Sequence, residues 1–283
     1  MLHYFGLWFQ ARSKMLKLSF LVVLAIFEFV ATAPTISSPG LRILTPAQFE
    51  RLQTWTQGDK QEMWELSGQF EGDMVLEAGQ RNGLINERYR WSNNEIPYVL
   101  APGFDTEEIE WIKKSLEEFV DRTCLTVRER TPSDTDYVYV TGDNSGCWSY
   151  VGRRGGMQTL NLQRSYPGNG CFRNGTIVHE FLHAAGFYHQ QSSPDRDDYV
   201  IIVWENIQSG TQGNFDKMSW DVVTTFGQPY DFGSVMHYGA YAFSANGERT
   251  IITLDPEAEI GQRYAMSEID ATKVNLMYCP DKV

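Results

Sequence analysis

The stretch from His179 to His189, His-Glu-Phe-Leu-His-Ala-Ala-Gly-Phe-Tyr-His, constrains this chain more than any other. His179 and His183 are four apart, so a helix sets them on one face about a turn from each other, where two imidazoles can converge on one metal ion. His189 lies six residues beyond His183, and on a continuing helix it would point elsewhere, so the helix must stop and the chain turn back. Gly186 supplies the stop, because without a Cβ it reaches the left-handed backbone angles that end helices. Three imidazoles leave one tetrahedral position of a zinc ion for water, the arrangement of a catalytic rather than a structural site. Glu180, beside the first ligand, is the candidate base for that water, and one zinc per chain is expected. The plain alternative for His-Glu-x-x-His alone is an amphipathic helix with surface histidines. Against it, three of the chain's five histidines fall in this one stretch.

Two further segments extend the pattern: Asp195-Arg196-Asp197-Asp198-Tyr199-Val200 soon after the third histidine, and Ser234-Val235-Met236-His237-Tyr238 further on. Together with the glycine and the third histidine they resemble the metzincin signature and its methionine turn, and within it the astacin family of zinc endopeptidases. The resemblance implies an α+β fold: a two-lobed metzincin-like catalytic domain with an N-terminal mixed sheet and two helices, then an irregular C-terminal lobe with one late helix. It implies that His179, His183 and His189 hold the metal, that Met236 forms an apolar floor beneath it, and that Tyr238 stabilises the oxyanion of the reaction. Residues 146–152 resemble the family's upper-rim edge strand, where Trp148, Ser149 and Tyr150 would pair with an extended substrate by main-chain hydrogen bonds. The alternative for this strand is structural, with its aromatics facing the core. Two positions depart from the family pattern: Gln190 stands where a glutamate is common and Ser193 where an arginine is. In the family that glutamate links to the buried amino terminus of the mature enzyme; a neutral amide can hydrogen-bond there but without charge assistance, so a weaker maturation switch is expected.

Arg12, Lys14 and Lys17 precede an apolar run at residues 18–27, and Ala31-Thr32-Ala33 supplies small residues at a cleavage spacing, so residues 1–33 read as a secretory signal peptide cut after Ala33. A membrane anchor is the alternative, but the run is too short to span a bilayer; Met15 is a second candidate initiator. Residues 34–81 carry few periodic apolar runs and read as a propeptide. Phe70-Glu71-Gly72-Asp73 within them matches the aspartate switch of astacin propeptides, which implies that Asp73 reaches the zinc and keeps the precursor latent. The alternative is an ordinary glycine turn. A trypsin-like protease cutting after Arg81 would leave residues 82–283 as one catalytic domain, with no further module expected after it. The formal net charge of −12 and the lack of a Lys/Arg cluster argue against a nucleic-acid or anionic-membrane partner. The expected partners are protein or peptide substrates, and the expected form is a secreted, extracellular monomer.

Within that domain, residues 96–100 read as a strand whose Pro97 suits an edge or a strand start. A helix follows, capped by Asp105 with Glu108 three residues on, and its apolar stripe is Ile109, Ile112, Leu116, Phe119 and Val120. Residues 137–140 and 159–162 are further strands. A late helix starts at Ser267, with Ile269, Val274 and Leu276 as apolar positions. Four cysteines in a secreted chain suggest disulfides and allow three pairings; the family resemblance implies Cys124 with Cys279 and Cys147 with Cys171. Asn174-Gly175-Thr176 is a glycosylation sequon with Asn174 as the candidate acceptor, although Thr176 equally reads as the cap of the zinc helix. Two other functions compete: a secreted non-catalytic peptide binder, which would be expected to have lost one histidine or Glu180, and a metal hydrolase of a non-peptide substrate, which a propeptide and a peptide-pairing edge strand disfavour.

Overall fold

A six-stranded mixed sheet carries the first half of the structure. The computed structural model describes residues 40–76 and 86–282, so the predicted leader and the Arg81 cleavage point lie outside the described residues. The strands are β1 (Met74–Val75), β2 (Glu95–Leu100), β3 (Thr126–Glu129), β4 (Tyr137–Thr141), β5 (Cys147–Tyr150) and β6 (Met157–Leu162), in the order β1-β5-β6-β4-β2-β3. All neighbours are parallel except β5 with β6, which is why the sheet is mixed. Alternation does the sorting: in β4, Val138 and Val140 are fully buried while Tyr137, Tyr139 and Thr141 are half-buried. Pro97 sits in an interior strand, not at an edge. It is tolerated at a strand start, because pairing with β4 begins only at Tyr98.

Among the described residues, four helices accompany the sheets: α1 (Pro46–Gln53), α2 (Thr106–Arg122), α3 (Asn174–Ala185) and α4 (Glu268–Tyr278). The Asp105 cap of α2 is complete, its carboxylate accepting from Glu108 N at 2.9 Å while Glu108 reaches back to Asp105 N at 2.8 Å. Ile112, Leu116 and Phe119 bury the face that packs on α3 and the sheet, but Val120 is 54% exposed and does not belong to the stripe. The buried face holds Ser115 and Glu108 instead, the latter paired with Arg164 at 2.8 Å. In α4, Val274 and Met277 are buried, whereas Ile269 and Leu276 are only half-buried.

Residues 40–76 do not form a separate body. Leu52, Met63, Trp64, Leu66 and Met74 join the same hydrophobic core as the sheet and helices, and β1 adds itself to the edge of β5. Past α3 the chain is mostly turns and short 3-10 segments, as expected. Besides α4, regular structure there is a two-stranded antiparallel pair, β7 (Val200–Ile202) with β8 (Ile251–Thr253). Both implied disulfides are formed. Cys124–Cys279 closes a separation of 155 positions and ties the end of α4 to the first lobe, a constraint worth at most about 5 kcal/mol in the chain-entropy picture. Cys147–Cys171 fixes β5 to the segment just before α3. Among the described residues no helix is long and apolar enough to cross a membrane.

Candidate active site

Helix α3 supplies the first two histidines and its ending supplies the third. Gly186 adopts φ 113°, Phe187 N bonds to Leu182 O at 2.9 Å, and Gly186 N bonds to His183 O at 2.8 Å, the paired bonds of a glycine-terminated helix. Trp91 Nε1 and the Tyr278 hydroxyl donate to the carbonyls of Ala184 and Ala185, each at 2.7 Å, so the last turn is held from both ends of the domain. The reversal then delivers His189 beside its partners. Ring centroids are 4.6 Å apart for His179–His183, 5.2 Å for His179–His189 and 4.8 Å for His183–His189, and all three side chains are buried.

Each imidazole is oriented by its other nitrogen. His179 Nδ1 faces Val235 O at 2.8 Å, His183 Nδ1 faces Phe187 O at 2.7 Å, and His189 Nδ1 faces Glu71 Oε2 at 2.8 Å. The two backbone carbonyls, and the Glu71 carboxylate when ionised, can only accept, so the Nδ1 atoms donate and the Nε2 atoms point inward. They point at Asp73. Its carboxylate lies 3.1 Å from His179 Nε2, 3.4 Å from His183 Nε2 and 3.1 Å from His189 Nε2, and all four donor atoms fall within 4.8 Å of one another.

A zinc ion fits this group. Donors about 2.0–2.1 Å from a tetrahedral ion stand roughly 3.3–3.4 Å apart, and His179 Nε2 and His189 Nε2 are 3.3 Å apart. Although in contact distance, Asp73 Oδ1 and His183 Nε2 make no hydrogen bond. The surroundings also call for positive charge at the centre. Burial disfavours a charged His189, yet Asp73 and Glu71 outweigh it and push its pKa up to about 9. Burial likewise opposes ionisation of Asp73, but His189, His183 and His179 hold it well below the ordinary carboxylate range.

Glu180 is fully buried and neither of its carboxylate oxygens has a partner, an arrangement that costs stability and so points to use. Burial, and then the Asp73 charge, push its pKa well above the carboxylate range. Met236 is buried in the core, and the turn that carries it is fixed by α4: Asp270 accepts from Ser234 Oγ at 2.6 Å and from Val235 N at 2.8 Å, which in turn aims the Val235 carbonyl at His179. The Tyr238 hydroxyl donates to Glu71 O at 2.6 Å, and its ring lies 4.8 Å from that of His189.

The segment Phe70-Glu71-Gly72-Asp73 therefore sits among all these groups. Gly72 has φ 92°, and a Cβ there would stand 2.9 Å from the Trp64 ring, so only glycine makes this turn. Glu71 also adopts a left-handed φ of 48°. Immediately beyond, Ser149 N donates to Asp73 O at 2.9 Å and β1 continues along β5. The edge that sequence assigned to substrate is thus paired here with residues 74–75. Trp148 and Tyr150 pack with Val75 and Leu41 in a cluster separate from the main core, so these aromatics face the covering segment.

Gln190 Oε1 accepts from Lys273 Nζ at 2.7 Å, both residues buried, so the amide found in place of a glutamate has a charged partner from within the domain. Ser193 bonds Asp195, and Arg196 is buried against the carbonyls of Gln191 and Phe215. Thr176 does not cap α3. It is buried with its hydroxyl unpartnered, and the Asn174 amide instead donates to Tyr264 O at 2.8 Å and Glu118 Oε2 at 3.2 Å. Sequence reasoning overlooked Glu71, Asp270, Lys273 and Gln191, whose Oε1 accepts from Tyr238 N at 3.1 Å. Only Asp270 had a local signal, as the partner in the Ser267 capping box of α4.

Residues 83–279 match the model of the peptidase family described as Astacin. The chain is 41% identical over 202 residues to zinc metalloproteinase nas-13 of Caenorhabditis elegans, covering 71% of this chain but 44% of that protein. It is 39% identical over 223 residues to nas-4 of the same organism, covering 74% of this chain and 69% of the relative. Among solved structures it is similar to high choriolytic enzyme 1, a hatching enzyme zinc-protease from Oryzias latipes, with a TM-score of 0.63 at 37% identity, covering 70% of this chain and 98% of that one. With the three histidines, the glycine-ended helix and the methionine turn in one site, the chain belongs to the astacin family of zinc metallopeptidases.

Proposed function

We propose that this protein is a secreted endopeptidase made as a latent precursor, in which residues 1–33 are a signal peptide, residues 34–81 a propeptide and residues 82–283 the catalytic domain. One observation carries the reading: the inward nitrogens of His179, His183 and His189 converge on the Asp73 carboxylate within 4.8 Å, and Glu180 waits beside them unpaired. When bound by the three histidines, zinc supplies Lewis acidity that polarises a scissile carbonyl and makes water acidic enough to react near neutral pH. Glu180 takes the proton of the attacking water as the oxygen bonds to the carbonyl carbon, then passes it to the leaving amine as the C–N bond breaks. The Tyr238 hydroxyl, freed from Glu71, donates to the developing oxyanion. The β5 edge pairs with the substrate backbone once residues 74–75 are gone. In the precursor, Asp73 stands where the attacking water must be.

The expected activator is a trypsin-like protease cutting after Arg81, and a monomer is the expected form. Brief trypsin treatment of the purified precursor should yield a fragment beginning at Asn82 that cleaves internal bonds of an unstructured protein, read by mass spectrometry of the products. A correctly cut fragment that leaves every peptide bond intact would favour the non-catalytic binder instead. Tyr238→Phe in the matured domain should lower kcat by about 10–100-fold with KM nearly unchanged, since its hydroxyl acts on the transition state. An effect confined to KM would assign Tyr238 to substrate binding.

A further inference from the structure

Two of the three histidines take their orienting oxygen from the catalytic domain itself, Val235 O for His179 and Phe187 O for His183. His189 does not. Its Nδ1 donates to the Glu71 carboxylate at 2.8 Å, and among the described residues no other acceptor for it is found. Glu71 is fully buried, accepts a second bond from Ser192 Oγ at 2.9 Å, and through its backbone carbonyl takes the Tyr238 hydroxyl at 2.6 Å. Its φ of 48° is one that a non-glycine residue adopts when its surroundings hold it there. A carboxylate on the outer nitrogen of a ligating imidazole fixes the ring and makes the inner nitrogen a better donor.

We propose that Glu71 is a positioning residue for the metal centre of the precursor, and that its departure with residues 34–81 leaves the mature domain holding zinc less tightly than the precursor does. This rests on the reading of that segment as a removable propeptide with Asp73 at the metal. Maturation then undoes three restraints together: the Asp73 carboxylate, the acceptor of His189 and the anchor of Tyr238.

The test is zinc retention, not activity. Uncut precursor carrying Arg81→Gln is dialysed against graded chelator and its zinc measured by elemental analysis, for the parent and for Glu71→Gln, Glu71→Ala and Asp73→Asn. Glu71→Ala should lose half its zinc at a chelator concentration roughly 10–100-fold lower than the parent, with Glu71→Gln between them. Glu71→Gln keeps the shape and backbone preferences of glutamate, so it stays informative if the alanine variant folds poorly. With Arg81 intact, cutting parent and Glu71→Gln releases the same mature domain, and their retention must then coincide. Glu71 variants that match the parent within twofold overturn the proposal. If Asp73→Asn alone lowers retention, the latency reading stands without Glu71; if no variant does, both fall.

Discussion

Replacing Glu180 by Ala is expected to lower peptide turnover of the matured domain by about 10²–10⁴-fold while leaving the zinc in place. The side chain is fully buried yet bonds to nothing, so its removal breaks no contact that holds the metal or the helix. Burial is the main reason its pKa is raised. The other contribution, the Asp73 charge, leaves with the propeptide. Because a buried ionisable group without a partner costs stability, the melting temperature of Glu180→Ala should equal or exceed that of the parent. Turnover within tenfold of the parent, with zinc retained, would require another proton acceptor.

A comparable change is expected from Asp73→Ala in a precursor that cannot be cut. With Arg81→Gln blocking maturation, the parent precursor should be silent toward a small peptide, while the Asp73 variant should show activity at least tenfold above it. The carboxylate touches all three inward nitrogens, and nothing else in residues 40–76 does. Chain lying along β5 can open transiently, whereas a carboxylate among the histidines blocks the attacking water directly. Equal silence in both proteins would reduce residues 34–81 to steric cover. An active parent would remove latency altogether.

Much of the site was legible because its information is local. The four-residue spacing of His179 and His183, the glycine that ends their helix, the Asp105 capping box and the Ser267 cap each act within one or two turns. What sequence left hidden depends on partners far away. Glu71 meets His189 across 118 positions, and Asp270 meets Val235 across 35, contacts that no periodicity encodes. Val120 misled because an apolar residue at helical spacing need not find a neighbour, and its position on α2 faces water. Thr176 misled because a hydroxyl near a helix start reads as a cap, while the first turn of α3 is fixed by the Asn174 amide and by Gly175 N bonding Arg263 O at 3.0 Å. The β7–β8 pair escaped because three residues per strand are too few for alternation to show.

Metal content tests the central claim most directly. Elemental analysis of the matured domain should find about one zinc per chain, and His179→Ala, His183→Ala and His189→Ala should each lose it. A chelator should abolish peptide cleavage, and added zinc should restore it. A domain that contains no zinc and cleaves at full rate in chelator would contradict the assignment of these three histidines as a catalytic metal site.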